Sequence, residues 1–163
     1  MIYKNIKGDK VPALGFGTYA MKEQECEDGV LDALEIGYRH IDTAQAYDNE
    51  LHVGNAIGQS DVPREDIFLT TKAHWEHLKP EELKQRFEES LEKLKTDYVD
   101  LFLIHWPSPH GVPIKEILQA MLEISADGKS RHIGVSNFTP VAGRRSTYSY
   151  RDILQSGRIS SFS

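Results

Sequence analysis

The sequence predicts an α/β fold in which short parallel strands alternate with helices. Apolar runs of strand length alternate with amphipathic stretches along residues 15–137, as in parallel sheets with crossover helices. Residues 99–104, Val-Asp-Leu-Phe-Leu-Ile, are almost continuously apolar, which is typical of a strand covered on both faces. Between residues 80 and 94, apolar residues recur at spacings of 4, 4 and 3, which places them on one face of a helix.

The elements are expected in a fixed order along the chain. Residues 7–10, Lys-Gly-Asp-Lys, form a turn between two short extended pieces, which predicts an N-terminal hairpin ahead of the main sheet. In the segment 80–94, Pro80 suits the first helical position, and Glu81 and Glu82 suit the positive end of the helix dipole. Strands are expected at 15–18, 40–44, 66–73, 98–106 and 131–137, and helices at 23–36, 49–59, 80–94 and 113–126.

A parallel series of strands and helices either closes into a barrel or lies open as a doubly wound sheet. The open nucleotide-binding type carries a G-x-G-x-x-G motif, but here Gly15-Phe-Gly17 is followed by Ala20 in place of the third glycine. A (β/α)8 TIM barrel fits better, although it needs about 250 residues. The 163 residues therefore predict a partial barrel of about five parallel strands with an N-terminal hairpin.

Composition excludes several classes of partner. No apolar run approaches the roughly 20 residues of a membrane span. With a net charge of −6 and no basic, aromatic-rich patch before residue 140, we expect no nucleic-acid partner. The N-terminus carries no readable secretory signal, and the single Cys26 cannot form an internal disulfide. A cytoplasmic location is the resulting expectation.

The character of the chain changes near residue 140. Residues 141–163 hold four arginines, six serines and one acid, Asp152, without an apolar period. We therefore expect two segments, a partial barrel over residues 1–140 and a divergent Ser/Arg-rich tail over 141–163 that packs poorly. The interpretation of this tail is a truncated or frame-shifted end of the barrel.

Four ionisable residues stand at the expected strand ends. Asp42 ends the second strand, Tyr47 lies in the loop after it, Lys72 ends the third strand and His105 ends the fourth. Barrel enzymes place their chemistry at this edge of the sheet. Each residue alone has an ordinary structural explanation, such as a helix cap, a solvated strand end or a packed phenol.

Together the four residues suit a proton-donating site. An ammonium close to a tyrosine lowers a phenol pKa that is otherwise about 10, so Lys72 is expected to lower the pKa of Tyr47. Asp42 would hold the lysine charged, and the imidazole of His105 could bind a substrate oxygen. Because no nucleophilic triad or metal cluster is apparent in the sequence, the attacking group is expected to be a hydride from a cofactor.

At these residues the sequence resembles the aldo-keto reductase family, with a similarity to its 2,5-diketo-gluconate and methylglyoxal reductase type. The resemblance covers residues 3–140. It is carried, in the family's order, by GYRHIDTAQAYDNELHVGNAI (37–57), IFLTTK (67–72), LKTDYVDLFLIHWP (94–107) and RHIGVSNF (131–138). It implies a (β/α)8 barrel that reduces aldehydes and ketones with NADPH and without a metal.

The resemblance also implies roles for the four strand-end residues. Asp42, Tyr47, Lys72 and His105 match the family's catalytic tetrad. Tyr47 would be the general acid, and Lys72, paired with Asp42, would lower its pKa. His105 would orient the carbonyl of a small substrate.

Further positions match the family's cofactor and substrate contacts. Ser136 and Asn137 match contacts to the nicotinamide carboxamide of NADPH, Thr18 matches a backbone contact, and Asp42 is included in the cofactor site. Aromatic substrate contacts are expected at Tyr19, Trp75 and Trp106. The family commonly has tryptophan two residues after the lysine, whereas this chain has His74 there and its tryptophan one residue later.

Two alternatives use the same residues. His74 and His77 could suggest a metal, but without a further ligand at suitable spacing we expect none. The second alternative is a non-catalytic product, either an inactive fragment or a half-barrel interaction module, because the family's later cofactor contacts have no match after residue 140. A barrel piece with open sheet edges is expected to self-associate, to recruit another half or to remain partly molten.

Overall fold

The computed structural model describes residues 2–6, 8–138 and 159–161, with only the backbone of Ile6 and of 159–161. Short 3₁₀ turns lie at Gln45–Tyr47 and Arg64–Asp66. The elements in chain order are β1 (Tyr3–Ile6), β2 (Asp9–Pro12), β3 (Phe16–Gly17), α1 (Glu23–Glu35), β4 (His40–Asp42), α2 (Glu50–Gln59), β5 (Phe68–Ala73), α3 (Pro80–Leu94), β6 (Val99–Ile104), α4 (Ile114–Ala126), β7 (Ser130–Val135) and β8 (Ile159–Ser161).

The strands form two sheets. β1 and β2 pair antiparallel as a hairpin, and the remaining strands form a parallel sheet in the order β3-β4-β5-β6-β7-β8. The predicted hairpin, parallel strands and helices are confirmed, with helix ends within one residue of expectation. β8 is a short strand that the sequence did not predict, in the stretch interpreted as a tail. The rest of 139–163, with its expected poor packing, lies outside the described residues.

The outer face of the sheet is buried under the helices. In α3 the predicted apolar face is indeed buried, and the Phe87 ring lies 4.4 Å from that of Phe102 on β6. The helix ends at Leu94, where Lys95 adopts a left-handed backbone with φ +53°. Among the described helices, none combines the length and apolarity that crossing a membrane requires.

The inner face carries a separate and smaller apolar cluster. Because side chains alternate between the faces of a strand, Phe102 packs under the helices while Leu101 and Leu103 point inward. These two leucines form the inner cluster with Phe68 of β5 and Val11 of the hairpin. The apolar layer fills the inside of the sheet below its carboxyl edge, where the next inward side chains are polar.

Buried Asp100 links three strands near their amino ends. Its Oδ2 accepts hydrogen bonds from both terminal nitrogens of Arg64, at 3.1 Å each, and from the backbone N–H of Leu69, at 2.9 Å. Its Oδ1 lies 3.1 Å from Nη1 of Arg131 on β7. Both guanidinium groups stack on the Tyr98 ring, 4.3 and 4.5 Å from its centroid. The carboxylate therefore compensates two arginines that pack around one ring.

Asp100→Asn is expected to lower the free energy of unfolding by about 3 kcal/mol, because removing one partner of a buried ion pair leaves the other charge uncompensated. Urea unfolding followed by circular dichroism measures the change. Asp61→Asn, at an exposed acid, is the matched control and should have little effect. A loss below about 1 kcal/mol for Asp100→Asn would place the pair among weak surface contacts.

Candidate active site

The carboxyl ends of the parallel strands bring the predicted site residues to one edge of the sheet. Asp42 is the last residue of β4, Lys72 is the penultimate residue of β5, and His105 directly follows β6. Backbone pairing extends one step beyond the strands, since the N–H of His105 donates to the Ala73 carbonyl at 3.3 Å. With Leu103 facing inward, the alternation of β6 also turns His105 to the inside.

Lys72 is the centre of the site. Its side chain is buried, and Nζ donates to Asp42 Oδ1 at 2.5 Å and to the Thr43 carbonyl at 2.8 Å. A third, longer contact of 3.4 Å joins Nζ to the hydroxyl of Tyr47. Burial lowers the pKa of Lys72, while the charge of Asp42 and its hydrogen bond act to raise it. The Lys72 ammonium therefore lies between the Asp42 carboxylate, which binds it closely, and the Tyr47 hydroxyl, which is farther away.

Tyr47 is presented by the 3₁₀ turn that follows β4. The turn ends at Asp48, whose left-handed backbone (φ +55°) reverses the chain. The Tyr47 ring packs edge-on between two neighbours, with centroid distances of 5.2 Å to Tyr19 and 5.6 Å to His105. Its hydroxyl therefore lies near the Lys72 ammonium, and its ring lies beside the imidazole of His105.

The expected lowering of the Tyr47 pKa by Lys72 is wrong for this structure. Burial, then the charge of Asp42, then Tyr19 raise the pKa of Tyr47 above its ordinary value. The cause is geometric, because the ammonium lies close to Asp42 and 3.4 Å from the phenol oxygen. Tyr47 consequently keeps its proton at neutral pH, which is the state that a general acid needs.

His105 is held in its neutral form. Burial first, and then the charge of Lys72, lower the pKa of His105 to about 4, against the opposing effect of Asp42. Within the described residues, Nδ1 of His105 has no hydrogen-bond partner. The indole of half-buried Trp75 lies edge-on to the imidazole, at a centroid distance of 5.8 Å. A neutral imidazole at this position can donate one N–H hydrogen bond to a substrate oxygen.

Ser136 and Asn137 lie beside the tetrad, directly after β7. The Ser136 N–H donates to the Ile104 carbonyl at 2.8 Å, which continues the ladder between β6 and β7. Asn137 has a left-handed backbone (φ +63°), and its Nδ2 donates to the His105 carbonyl at 2.9 Å and to Ser136 Oγ at 3.0 Å. A hydroxyl and an amide are therefore fixed next to His105.

The remaining predicted residues surround this edge. Thr18 is buried, its N–H donates to the Asp42 carbonyl at 3.0 Å, and its own carbonyl accepts from Asn49 at 2.8 Å. The same carbonyl accepts a second hydrogen bond from the Met21 N–H at 3.2 Å, so both of its lone pairs are used within the protein and none is left for the expected cofactor contact. Tyr19 is 75% exposed and Trp106 is 47% exposed, so both aromatic side chains face solvent at the rim.

Buried Asn49 is a site-supporting residue that the sequence reasoning missed. Its Nδ2 donates to the carbonyls of Thr18 and Met21, at 2.8 and 3.0 Å, and its Oδ1 accepts from Thr43 Oγ1 at 2.8 Å. The Asn49 amide therefore links the loop that contains Tyr19 to Thr43, whose carbonyl accepts a hydrogen bond from Lys72. The sequence signal was an asparagine just before a helix, which indicates an N-cap, but its side chain does not cap α2.

The two histidines considered as metal ligands do not form a metal centre with their neighbours. His77 Nδ1 lies 2.6 Å from Glu82 Oε1, and the His77 ring lies 5.2 Å from that of His74. Over residues 2–6 and 8–138 there is no group of three or more His, Cys, Asp or Glu side chains that could hold a metal ion.

Parallel strands joined by helices, with an Asp, Tyr, Lys and His set at their carboxyl ends, define a protein of the (β/α)8-barrel class. The sequence model of the Aldo/keto reductase family matches residues 13–146. The methylglyoxal reductase DkgB of Escherichia coli is 52% identical over 130 residues, which are 79% of this chain and 49% of that protein. The chain belongs to the aldo/keto reductase family.

Solved structures agree with this assignment. A crystal structure named for a 2,5-diketo-D-gluconic acid reductase B is 47% identical with a TM-score of 0.74, over 81% of this chain and 47% of that one. An aldo-keto reductase of Bombyx mori, solved in complex with NADP, is 37% identical with a TM-score of 0.74, over 80% of this chain and 48% of its own. The chain spans about half the length of the curated relatives it matches.

The depressed pKa of His105 makes stability depend on pH. Between its folded-state pKa of about 4 and the ordinary value of 6.5, the unfolded chain binds more protons than the folded one. Stability is therefore lost as the pH falls from 6.5 towards 4. His105→Gln is expected to show a smaller fall in Tm between about pH 7 and about pH 5 than the unaltered protein.

Thermal unfolding followed by circular dichroism at the two pH values measures this difference. His110→Gln, at an exposed loop position, serves as the control and should leave the pH dependence unchanged. An unchanged pH dependence in His105→Gln would show that His105 is not held neutral by its surroundings.

Proposed function

We propose that this protein reduces aldehydes and ketones to alcohols, with NADPH as the hydride donor. The supporting observation is the placement of Lys72 Nζ, 2.5 Å from Asp42 Oδ1 and 3.4 Å from the Tyr47 hydroxyl, at the carboxyl edge of the sheet. This arrangement supplies a proton to an oxygen while the adjacent carbon is attacked. Membership of the aldo/keto reductase family supports the same reaction.

Tyr47 is the proton donor of the proposed reaction. Its raised pKa keeps the hydroxyl protonated until a substrate oxygen gains negative charge. When the proton leaves, the nearby Lys72 ammonium stabilises the phenolate that remains. Asp42 keeps that ammonium charged and in place despite its burial.

His105 orients the carbonyl in this proposal. Because the imidazole is neutral at physiological pH, it binds the carbonyl oxygen by an N–H hydrogen bond and leaves the donation of a proton to Tyr47. The rings of His105 and Tyr47 are neighbours, with centroids 5.6 Å apart, and we propose that their polar groups face a common point. A substrate carbonyl at that point would meet a proton donor and a hydrogen-bond donor together.

The chemistry of the residues at the end of β7 fits a nicotinamide cofactor. Ser136 and Asn137 provide a hydroxyl and an amide, which pair with a carboxamide. NADPH, when bound, supplies the hydride to the carbonyl carbon. The structure solved with NADP concerns the Bombyx mori relative and supports NADPH as the proposed cofactor of this chain.

The proposed substrates are small carbonyl compounds. Tyr19, Trp75 and Trp106 give the rim an aromatic character, which suits compact, partly apolar molecules. The name of the Escherichia coli relative supports methylglyoxal as the first compound to test. Because Cys26 is free and buried and the net charge is −6, we also propose a cytoplasmic location without a nucleic-acid partner.

The second candidate function is association through the sheet edges. In the described part of the sheet, β3 pairs only with β4 and β8 pairs only with β7. Strands with one unpaired side present backbone donors and acceptors to a further strand. A second copy of the chain is the proposed partner, and this function would require no catalysis.

Tyr47→Phe is expected to lower kcat for methylglyoxal reduction at least about 100-fold, because the general acid is lost. NADPH affinity should stay unchanged, since the substitution removes only the phenol oxygen. NADPH absorbance measures turnover, and NADPH fluorescence measures binding. Tyr3→Phe, at an exposed hairpin position, is the matched control. Full activity in Tyr47→Phe would refute the assignment of Tyr47 as the acid.

The two candidate functions are separated by measuring cofactor binding and size on one sample. Saturable NADPH binding with turnover of methylglyoxal supports the reductase. An assembly that neither binds NADPH nor turns over methylglyoxal supports the association function. Size-exclusion chromatography with light scattering gives the mass in both cases.

A further inference from the structure

Gln45 connects the turn that carries Tyr47 to helix α3. It is the first residue of that 3₁₀ turn. Its Nε2 donates to Ser90 Oγ at 3.0 Å and to the Arg86 carbonyl at 3.1 Å. Ser90 is buried, and its hydroxyl donates in turn to the same Arg86 carbonyl at 3.0 Å. The Nε2 end of the Gln45 amide is therefore bound to α3, a helix that carries none of the four catalytic candidates.

The other end of the Gln45 amide holds the segment after β5. Its Oε1 accepts a hydrogen bond from the backbone N–H of His74 at 2.8 Å. His74 lies two residues after Lys72, in the segment 74–79 between β5 and α3. A single side chain thus joins three parts of the fold, namely the Tyr47 turn, the segment after Lys72, and α3.

The segment bound by Gln45 contains Trp75, and the Trp75 indole lies next to the His105 ring. The His74 ring stacks on the Trp75 indole, with centroids 4.1 Å apart and planes at 23°. The indole then lies edge-on to His105, at 5.8 Å. At the far end of the segment, His77 contacts Glu82 on α3 at 2.6 Å. The position of the indole depends on where the backbone of His74 is held.

We propose that Gln45 is a positioning residue that fixes Trp75 beside His105 and thereby determines which carbonyl substrates fit. The inference rests on the proposed reductase function, because selectivity has meaning only for a substrate bound at His105. A substituent on the carbonyl carbon would lie against the indole, whereas the proton donation by Tyr47 does not involve it. Loss of Gln45 therefore affects the binding of large substrates more than the chemical step.

The position of Trp75 can be measured without any activity. In a Trp106→Phe background, Trp75 is the single fluorophore of its type, since the chain has two tryptophans. Gln45→Met keeps the side-chain length and removes all three side-chain hydrogen bonds, and it should raise acrylamide quenching of Trp75 about twofold as the segment opens locally. Gln45→Glu keeps an acceptor for the His74 N–H but loses both donations from Nε2, and it should give an increase smaller than that of Gln45→Met.

Two further variants complete the fluorescence test. Gln24→Ala removes an exposed glutamine that pairs with Asp28 on α1, and it should leave quenching unchanged. Ser90→Ala removes one partner of Gln45 Nε2, and its smaller increase in quenching gives a reading even where Gln45→Met fails to fold. Unchanged Trp75 quenching in the folded Gln45→Met or Ser90→Ala protein would overturn the positioning role.

The kinetic arm uses a small and a bulky α-ketoaldehyde with Trp106 intact. Gln45→Met is expected to raise KM for phenylglyoxal about tenfold, with KM for methylglyoxal and both kcat values within about twofold. Equal changes in KM for the two aldehydes, or a loss of kcat alone, would overturn the selectivity role. A parent protein without turnover would instead refute the proposed reductase function, while the fluorescence result would still decide where Gln45 holds Trp75.

Discussion

The ion pair between Lys72 and Asp42 is the contact on which the rest of the site depends. A lysine that is 7% exposed loses most of its hydration, and its ammonium stays charged there only with a partner. The parallel register supplies that partner, because Asp42 is opposite Thr70 on β5, so that Lys72 follows two residues later on the same face. The Thr43 carbonyl completes the lysine's hydrogen bonds and leaves Tyr47 as its third, more distant neighbour.

This geometry explains the protonation states of the two groups that would meet the substrate. Burial raises the pKa of Tyr47 most, and the charge of Asp42 raises it further. For His105 burial and the lysine act in the same direction, and its pKa falls to about 4. The site therefore holds a protonated phenol next to a neutral imidazole. In the proposed reaction Tyr47 would donate the proton, and His105, being neutral, would only orient the substrate carbonyl.

Much of the fold and the identity of the strand-end residues could be predicted from the sequence. The strands, and the helix face that contains Leu83 and Phe87, follow from patterns in neighbouring residues. The ends of the predicted strands then place Asp42, Lys72 and His105 at one edge of the sheet. The support from Asn49 and Gln45 could not be predicted, because apart from the Asn49 contact to Thr43 it consists of side-chain contacts to residues 28 to 45 positions away. The pKa of Tyr47 was predicted in the wrong direction, since it is raised mainly by burial of the phenol, which the sequence does not specify. β8 was missed because the stretch around it has no strand periodicity.

The central claim is that the site keeps the Tyr47 phenol protonated although it lies near Lys72, which is paired with Asp42. The titration of Tyr47 tests this claim most directly. NMR of protein carrying ¹³C at tyrosine Cζ reports each phenol's titration, and Tyr47→Phe identifies the signal among the seven tyrosines. Because burial raises the pKa of this phenol, Tyr47 is expected to titrate above the ordinary value of 10.0. A titration clearly below that value would show that Lys72 dominates the phenol, and would contradict the arrangement described for the site.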